Sequence, residues 1–229
     1  ARVKIEEQTL ENAVYLLSLI RYGATEDFEY IYPLKMANSP FAPTVSMSYD
    51  ALRSLYHNDL LWVHPSSPTE AIGFNDDFTM AEKIYLDAVV WALPITFNST
   101  ESRDVIAEIE TIFRTMEWPA TWENQQLALW KKIALHESLQ YLLFVLGTHG
   151  LPFQPGEKTL QVLSSVLESY STAQVYSFIW RAGRDAAAFY MRERVTKKHA
   201  ANTVVGAIQR YAERALAENW TVKPYRRDF

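Results

Sequence analysis

The chain of 229 residues contains no cysteine. A protein without cysteine has no disulfide framework, no thiolate ligand for a metal ion and no cysteine nucleophile. Because disulfides are typical of secreted proteins, their exclusion favours a reducing compartment, and we expect the protein to be cytoplasmic.

Long apolar stretches are also lacking. Stretches such as 85–95 and 139–147 fall well short of the ~20 residues that a membrane-spanning helix needs, so we expect no membrane partner. The sequence begins at Ala1 without an initiator methionine, and we expect it to be a fragment of a longer polypeptide.

Several enzyme motifs are missing as well. The chain has no Gly-rich phosphate loop, no G-x-S-x-G elbow and no paired-glutamate pattern of a di-iron bundle. His136 and Glu137 match the start of the H-E-x-x-H zinc motif, but Gln140 stands where the second histidine is required. The remaining histidines, at positions 57, 64, 149 and 199, have no ligand-like spacing. We therefore predict no metal site and no cofactor, and we favour a protein that is not an enzyme.

The apolar residues recur mainly with helical periodicity, and the chain has only 7 glycines. We predict a mainly α protein with an N-terminal unit at 1–78, which includes a small β-hairpin, and a helical bundle at 79–229. Apolar steps predict a first helix from Thr9 that stops near Gly23. A shorter second helix is expected from Thr25, ending near Pro33 or continuing irregularly to Met36. Ser48 is expected to cap a third helix that runs to about residue 58.

Two apolar runs, 60–65 and 71–75, flank the turn residues 66–70 and predict a β-hairpin. Three helices followed by a hairpin is the order of a winged helix-turn-helix, and residues 9–77 resemble that family. The resemblance implies a DNA-reading helix at 48–58. Residues 1–100, however, carry 6 Lys and Arg against 13 Asp and Glu, and a net charge of −7 would repel a phosphate backbone. We therefore expect a structural or protein-docking role for this unit.

Six helices are expected in the second part. In the first of them, Thr79 and Glu82 would form a capping box and Pro94 would end the helix. The others are expected near 101–116, 121–146, 158–169, 172–193 and 197–218. Small residues at 182–188 would let a neighbouring helix approach closely in the core, and a self-association face is the alternative.

Positive charge is concentrated at the carboxyl end. From Tyr176 to Phe229 there are 11 Lys and Arg against 5 Asp and Glu, although the whole chain has a net charge of −5. Such asymmetry indicates either a polyanionic partner or an electrostatic match within the protein. Clustered cations attract phosphates through counterion release. We predict a nucleic-acid-binding surface formed by Arg181, Arg184, Arg192, Arg194, Lys197, Lys198, His199, Arg210 and Arg214.

Two of these residues have a second interpretation. Arg194 and His199, with four residues between them in a helical region, resemble the R-x4-6-H signature of HEPN ribonucleases. The resemblance implies RNA cleavage at a dimer interface, with an arginine that stabilises phosphate charge and a histidine that transfers protons. That family favours a polar residue directly after the arginine, where this chain has Val195.

The sequence leaves three functions open. We favour a non-catalytic nucleic-acid-binding or assembly module of a larger cytoplasmic protein, which contacts DNA or RNA through its basic C-terminal helices. One alternative is a protein-protein interaction scaffold, with a protein partner or a second copy of the chain and no nucleic acid. The other alternative is the HEPN-like ribonuclease.

Overall fold

The computed structural model describes residues 4–37, 40–77, 79–94 and 99–226, without the side chains of 99–102. The chain divides into two compact units, Ala1–Leu129 and Trp130–Phe229. This division lies further along the chain than the boundary expected after residue 78, and it falls inside a helix.

The protein is mainly α-helical, as the sequence predicts. In the described part of the chain the α-helices are α1 (Leu10–Gly23), α2 (Val45–His57), α3 (Ser99–Thr115), α4 (Gln126–Thr148), α5 (Glu157–Leu167), α6 (Thr172–Arg192) and α7 (Lys197–Ala217). The strands are β1 (Trp62–Val63), β2 (Ile72–Phe74), β3 (Ala81–Ile84) and β4 (Trp91–Ala92). Among the described residues, none of the helices is both long enough and apolar enough to cross a bilayer.

Helix α2 begins earlier than the sequence suggested. The hydroxyl oxygen of Thr44, rather than that of Ser48, accepts the N-terminal hydrogen bond, which comes from the backbone N–H of Met47. Ser48 is buried inside the helix and donates its hydroxyl to the Thr44 carbonyl at 3.2 Å. Thr and Ser are both good N-caps, and in this structure Thr44 takes that role one turn before Ser48.

The prediction of a helix at 25–36 is wrong. The backbone N–H of Thr25 donates to the carbonyl of Tyr30 at 2.9 Å, which closes a turn, and Ile31 then bridges to Trp91. The Thr25 hydroxyl oxygen accepts from the backbone N–H groups that follow, and such bonds compete with helix formation. Pro33 cannot donate to a helical ladder, and only the 3₁₀ turn Leu34–Met36 follows it.

The strand positions are confirmed, but the predicted hairpin pairing is wrong. β1 pairs antiparallel with β4, and β2 pairs antiparallel with β3. β3 and β4 occupy the stretch where a capped helix was predicted. Thr79 does not cap a helix there; its backbone N–H donates to the Asn75 side chain at 2.9 Å, in the turn between β2 and β3. Ahead of β1, the described residues form two α-helices, α1 and α2. The winged helix-turn-helix order requires three.

A buried polar contact joins α1 to α2. The Ser54 hydroxyl donates to Oδ1 of Asn12 at 2.7 Å, and Asn12 is almost fully buried. Asn12→Ala removes this acceptor, so we expect the free energy of unfolding to fall by about 1–3 kcal/mol. Urea unfolding of Asn12→Ala, Ser54→Ala and the double variant would measure the effect. A coupling energy near zero would show that the contact does not stabilise the unit.

The core of the first unit includes two fully buried tryptophans, Trp91 and Trp122. The indole N–H of Trp122 donates to the carbonyl of Gln8 at 2.8 Å. Its ring lies 5.6 Å from that of Phe113 and 6.1 Å from that of Trp118, between centroids. A buried indole needs an acceptor for its N–H, and here the segment that precedes α1 supplies it.

The second unit is a helical bundle made by the C-terminal part of α4 together with α5, α6 and α7. The five helices predicted after residue 100 are confirmed. Helix α4 starts at Gln126 because a 3₁₀ helix, Ala120–Gln125, precedes it. Thr196 caps α7 by accepting from the backbone N–H of His199 at 3.1 Å. Helices α6 and α7 run antiparallel, since ring contacts join residue 181 to 211 and residue 189 to 199.

Small residues allow α4 and α6 to approach closely. A Cβ atom added to Gly183 would lie 2.4 Å from Cγ1 of Val145, closer than two carbon atoms can pack. Ala182 and Ala186, on the same helix, are almost fully buried. The core-packing interpretation therefore holds for Ala182, Gly183 and Ala186, whereas Ala188 is exposed.

Candidate nucleic-acid interface

The nine predicted side chains lie on α6, on α7 or in the turn between them, and all nine are exposed. They form three groups rather than one surface. The first group, named here the basic turn, consists of Arg192, Arg194, Lys197, Lys198 and His199. The second group is Arg181 and Arg184 on α6, and the third is Arg210 and Arg214 on α7.

The basic turn joins the end of α6 to the start of α7. Among the residues that the structure describes, no salt bridge involves any of its five side chains. Its contacts are with aromatic rings: Lys197 Nζ lies 5.9 Å from the ring centroid of Tyr190, and the rings of His199 and Phe189 are 6.0 Å apart. Mobile counterions must therefore balance this charge, and a phosphate backbone can replace them.

Two lysines stand at an unfavourable position for the helix. Lys197 and Lys198 are the first residues of α7, where the backbone N–H groups already carry partial positive charge. Cations are unfavourable in a first turn by some tenths of a kcal/mol, whereas an anion is stabilised there. A bound phosphate would relieve the repulsion, so the local arrangement favours a negatively charged partner.

The two arginines of α6 each lie over an aromatic ring. The Arg181 guanidinium lies 4.2 Å from the ring centroid of Tyr211, and that of Arg184 lies 4.9 Å from the ring of Trp180. The Tyr211 hydroxyl donates to Asp185, and burial together with this hydrogen bond raises the pKa of Tyr211. The carboxylate of Asp185 thus already accepts a hydrogen bond, while the guanidinium groups of Arg181 and Arg184 are exposed to solvent.

The two arginines of α7 are placed differently. Arg214 forms an ion pair with Glu218 at 2.8 Å, one turn along the chain. Arg210 lies against Gly206 and lines, with Lys158, a groove of about 490 Å³ between α5 and α7. Arg181 lies on the ring of Tyr211, which follows Arg210 in the chain, so the α6 arginines lie near the level of the α7 arginines and two to three helical turns from the basic turn.

Sequence reasoning missed the rings that accompany these cations. Trp180 and Arg184 are four residues apart on one helix, a spacing at which side chains meet, so their contact was open to prediction. The contact of Arg181 with Tyr211 joins two helices, and no local pattern indicates it.

Both residues of the ribonuclease prediction, Arg194 and His199, lie in the basic turn and are exposed. Arg194 lies between the helices and His199 in the first turn of α7, and RNA cleavage by them stays a prediction. Glu137, from the partial zinc motif, accepts the hydroxyl of Tyr176 at 3.0 Å. Within the described residues, no group of three or more histidine or carboxylate side chains could hold a metal ion.

Comparisons of the chain with protein-family models, with curated proteins and with solved structures give no match.

Proposed function

We propose that the chain is a non-catalytic module of a larger cytoplasmic protein and that it binds nucleic acid through the basic turn. One observation carries the proposal: within eight residues, 192–199, five exposed basic side chains share no salt bridge in the described part of the chain. Release of their counterions would drive binding to a phosphate backbone without regard to base sequence.

The position of the cluster supports a phosphate partner. The N-terminus of α7 adds backbone N–H donors to the two lysines of its first turn, and phosphate oxygens accept from both kinds of group. Glu193 is the single acidic residue within the run 192–199. A run with four permanent positive charges and one negative charge keeps a net attraction for polyanions.

The first unit is proposed to act differently. Residues 1–100 carry 13 acidic against 6 basic side chains, which disfavours contact with nucleic acid. A protein partner fits this unit better, and the assembly role of the module would then lie there.

A four-residue variant tests the proposed nucleic-acid binding. With Arg192, Arg194, Lys197 and Lys198 all changed to Ala, we expect affinity for oligonucleotides at low salt to fall at least about tenfold. The slope of log affinity against log salt should become shallower by about one for each phosphate that the variant no longer neutralises. Anisotropy titrations of a labelled oligonucleotide at several salt concentrations would measure both quantities.

The matched control removes four positive charges elsewhere in the same unit. Changing Lys158, Arg210, Arg214 and Lys223 to Ala alters the net charge equally, and these side chains are also exposed. We expect a much smaller loss of affinity. Equal losses in the two variants, or no loss in the first, would contradict binding at the basic turn.

The same titrations separate the alternative functions. A protein-interaction scaffold would show no salt-sensitive binding at all. The ribonuclease would shorten the RNA during incubation, and His199→Ala would stop that cleavage while the fold is retained. Intact RNA together with salt-sensitive binding supports the non-catalytic module.

A further inference from the structure

Helix α6 carries an exposed stripe that leads to the basic turn. Trp180, Arg184 and Met191 recur at four- and seven-residue steps and therefore lie on one face, with Arg181 and Arg192 beside them. The indole of Trp180 is 38% exposed and Met191 is 80% exposed. At 1.5 Å per residue, the stripe is roughly 18 Å long.

The stripe carries positive charge at both ends, with Arg181 and Arg184 at one and Arg192 at the other. Its three arginines face solvent, and the only acidic residue in the α6 sequence is Asp185. Asp185 is half-buried at the contact with α7, where it accepts the hydroxyl of Tyr211. The charge of this face therefore complements a phosphate backbone.

The indole ring of Trp180 is held in place. It stacks on the ring of Tyr225 with centroids 5.6 Å apart and an angle of 22° between the planes. Tyr225 is in turn fixed to the start of α6, because its backbone N–H donates to the carbonyl of Ala173 at 2.8 Å. An aromatic ring that is already ordered loses little conformational entropy when a ligand stacks on it.

We propose that this stripe binds single-stranded nucleic acid: an unpaired base takes the place of the Arg184 guanidinium, which now lies 4.9 Å over the Trp180 ring, and the phosphates follow the arginines toward the basic turn. The inference rests on the proposed nucleic-acid function and specifies its substrate class. Exposed aromatic rings between cations are the features that recognise unpaired bases, whose faces are open for stacking. In a duplex the bases are stacked on each other, and only the phosphates would meet this face.

The test compares a labelled single strand with a labelled duplex on the full chain. Trp180→Ala should weaken binding of the single strand about tenfold and leave binding of the duplex unchanged. Trp130→Ala is the matched control, since Trp130 is 50% exposed and lies on α4, outside the segment after α7 that supports Trp180. It should leave both affinities unchanged.

The other outcomes of the test distinguish the single-strand inference from the proposed nucleic-acid binding on which it rests. If Trp180→Ala has no effect, or weakens both ligands equally, while the four-residue basic-turn variant still loses affinity, the single-strand inference fails and the proposed function stands. If the basic-turn variant binds as tightly as the natural chain, the proposed function fails. If circular dichroism shows that Trp180→Ala does not fold, the inference is tested on the natural chain alone. Equal affinities of the natural chain for duplex and for single strand would then overturn the inference.

Discussion

Trp122→Ala is expected to lower the free energy of unfolding of the first unit by about 3–5 kcal/mol, the usual cost of deleting a buried aromatic side chain. Trp122 is fully buried, so the change leaves a cavity lined by the rings of Phe113 and Trp118. It also leaves the carbonyl of Gln8 without the indole donor that now lies 2.8 Å away. The cavity and the missing hydrogen bond act in the same direction.

Urea unfolding of the full chain, followed by far-ultraviolet circular dichroism, would measure this loss. Trp62→Ala is the control, because Trp62 belongs to the same unit and is 43% exposed. We expect it to change the free energy of unfolding by less than about 1 kcal/mol. Similar losses of unfolding free energy for the two variants would contradict the role of Trp122 in the core of the first unit.

Gly183→Ala is expected to destabilise the second unit by about 1–3 kcal/mol, although alanine is the better helix former. The added methyl group would lie 2.4 Å from Cγ1 of Val145, so the side chain or the helix would have to move. A valine inside a helix has one strongly preferred rotamer and cannot turn away at little cost. Overpacking therefore outweighs the gain in helix propensity.

Gly206→Ala is the matched control for Gly183, since both glycines lie inside long helices. At Gly206 the new methyl group would meet only the mobile end of Arg210, at 3.3 Å, and we expect stabilisation by about 0.5–1 kcal/mol. Combining Gly183→Ala with Val145→Ala should cost less than the sum of the single changes, because the second substitution removes the colliding atom. Melting temperatures of the four variants would measure these effects, and equal signs at the two glycines would contradict the close approach of α4 and α6.

Helix starts could be predicted where the cap lies next to the helix in sequence. Thr9 and Thr196 each accept a hydrogen bond from a backbone N–H three residues later, so the signal and the structure are local. The same reasoning located the basic turn, since it depends only on residues 192–199. These side chains lie at the end of α6, at the start of α7 or in the turn between them, and all of them are exposed.

The errors concern contacts between distant residues. Thr79 and Glu82 have the spacing of a capping box, but β4 finds its partner β1 almost thirty residues earlier in the chain, and the β2–β3 turn uses the Asn75 side chain. Likewise, the ring of Trp180 is fixed by Tyr225, forty-five residues away, which no local pattern indicates. Tertiary pairing overrides local preference in such segments.

Two kinds of contact join the described part of the segment after α7 to the start of α6. The Tyr225 backbone N–H donates to Ala173 and the Gln174 side chain to the carbonyl of Val222, while Val222 and Tyr225 are only partly buried against the core. End segments that are only partly buried fray before the remainder of a domain melts. On heating, the indole of Trp180 should thus lose its rigid support while the surrounding helices are still folded. The affinity proposed here for an unpaired strand should then fall at temperatures below the unfolding transition itself.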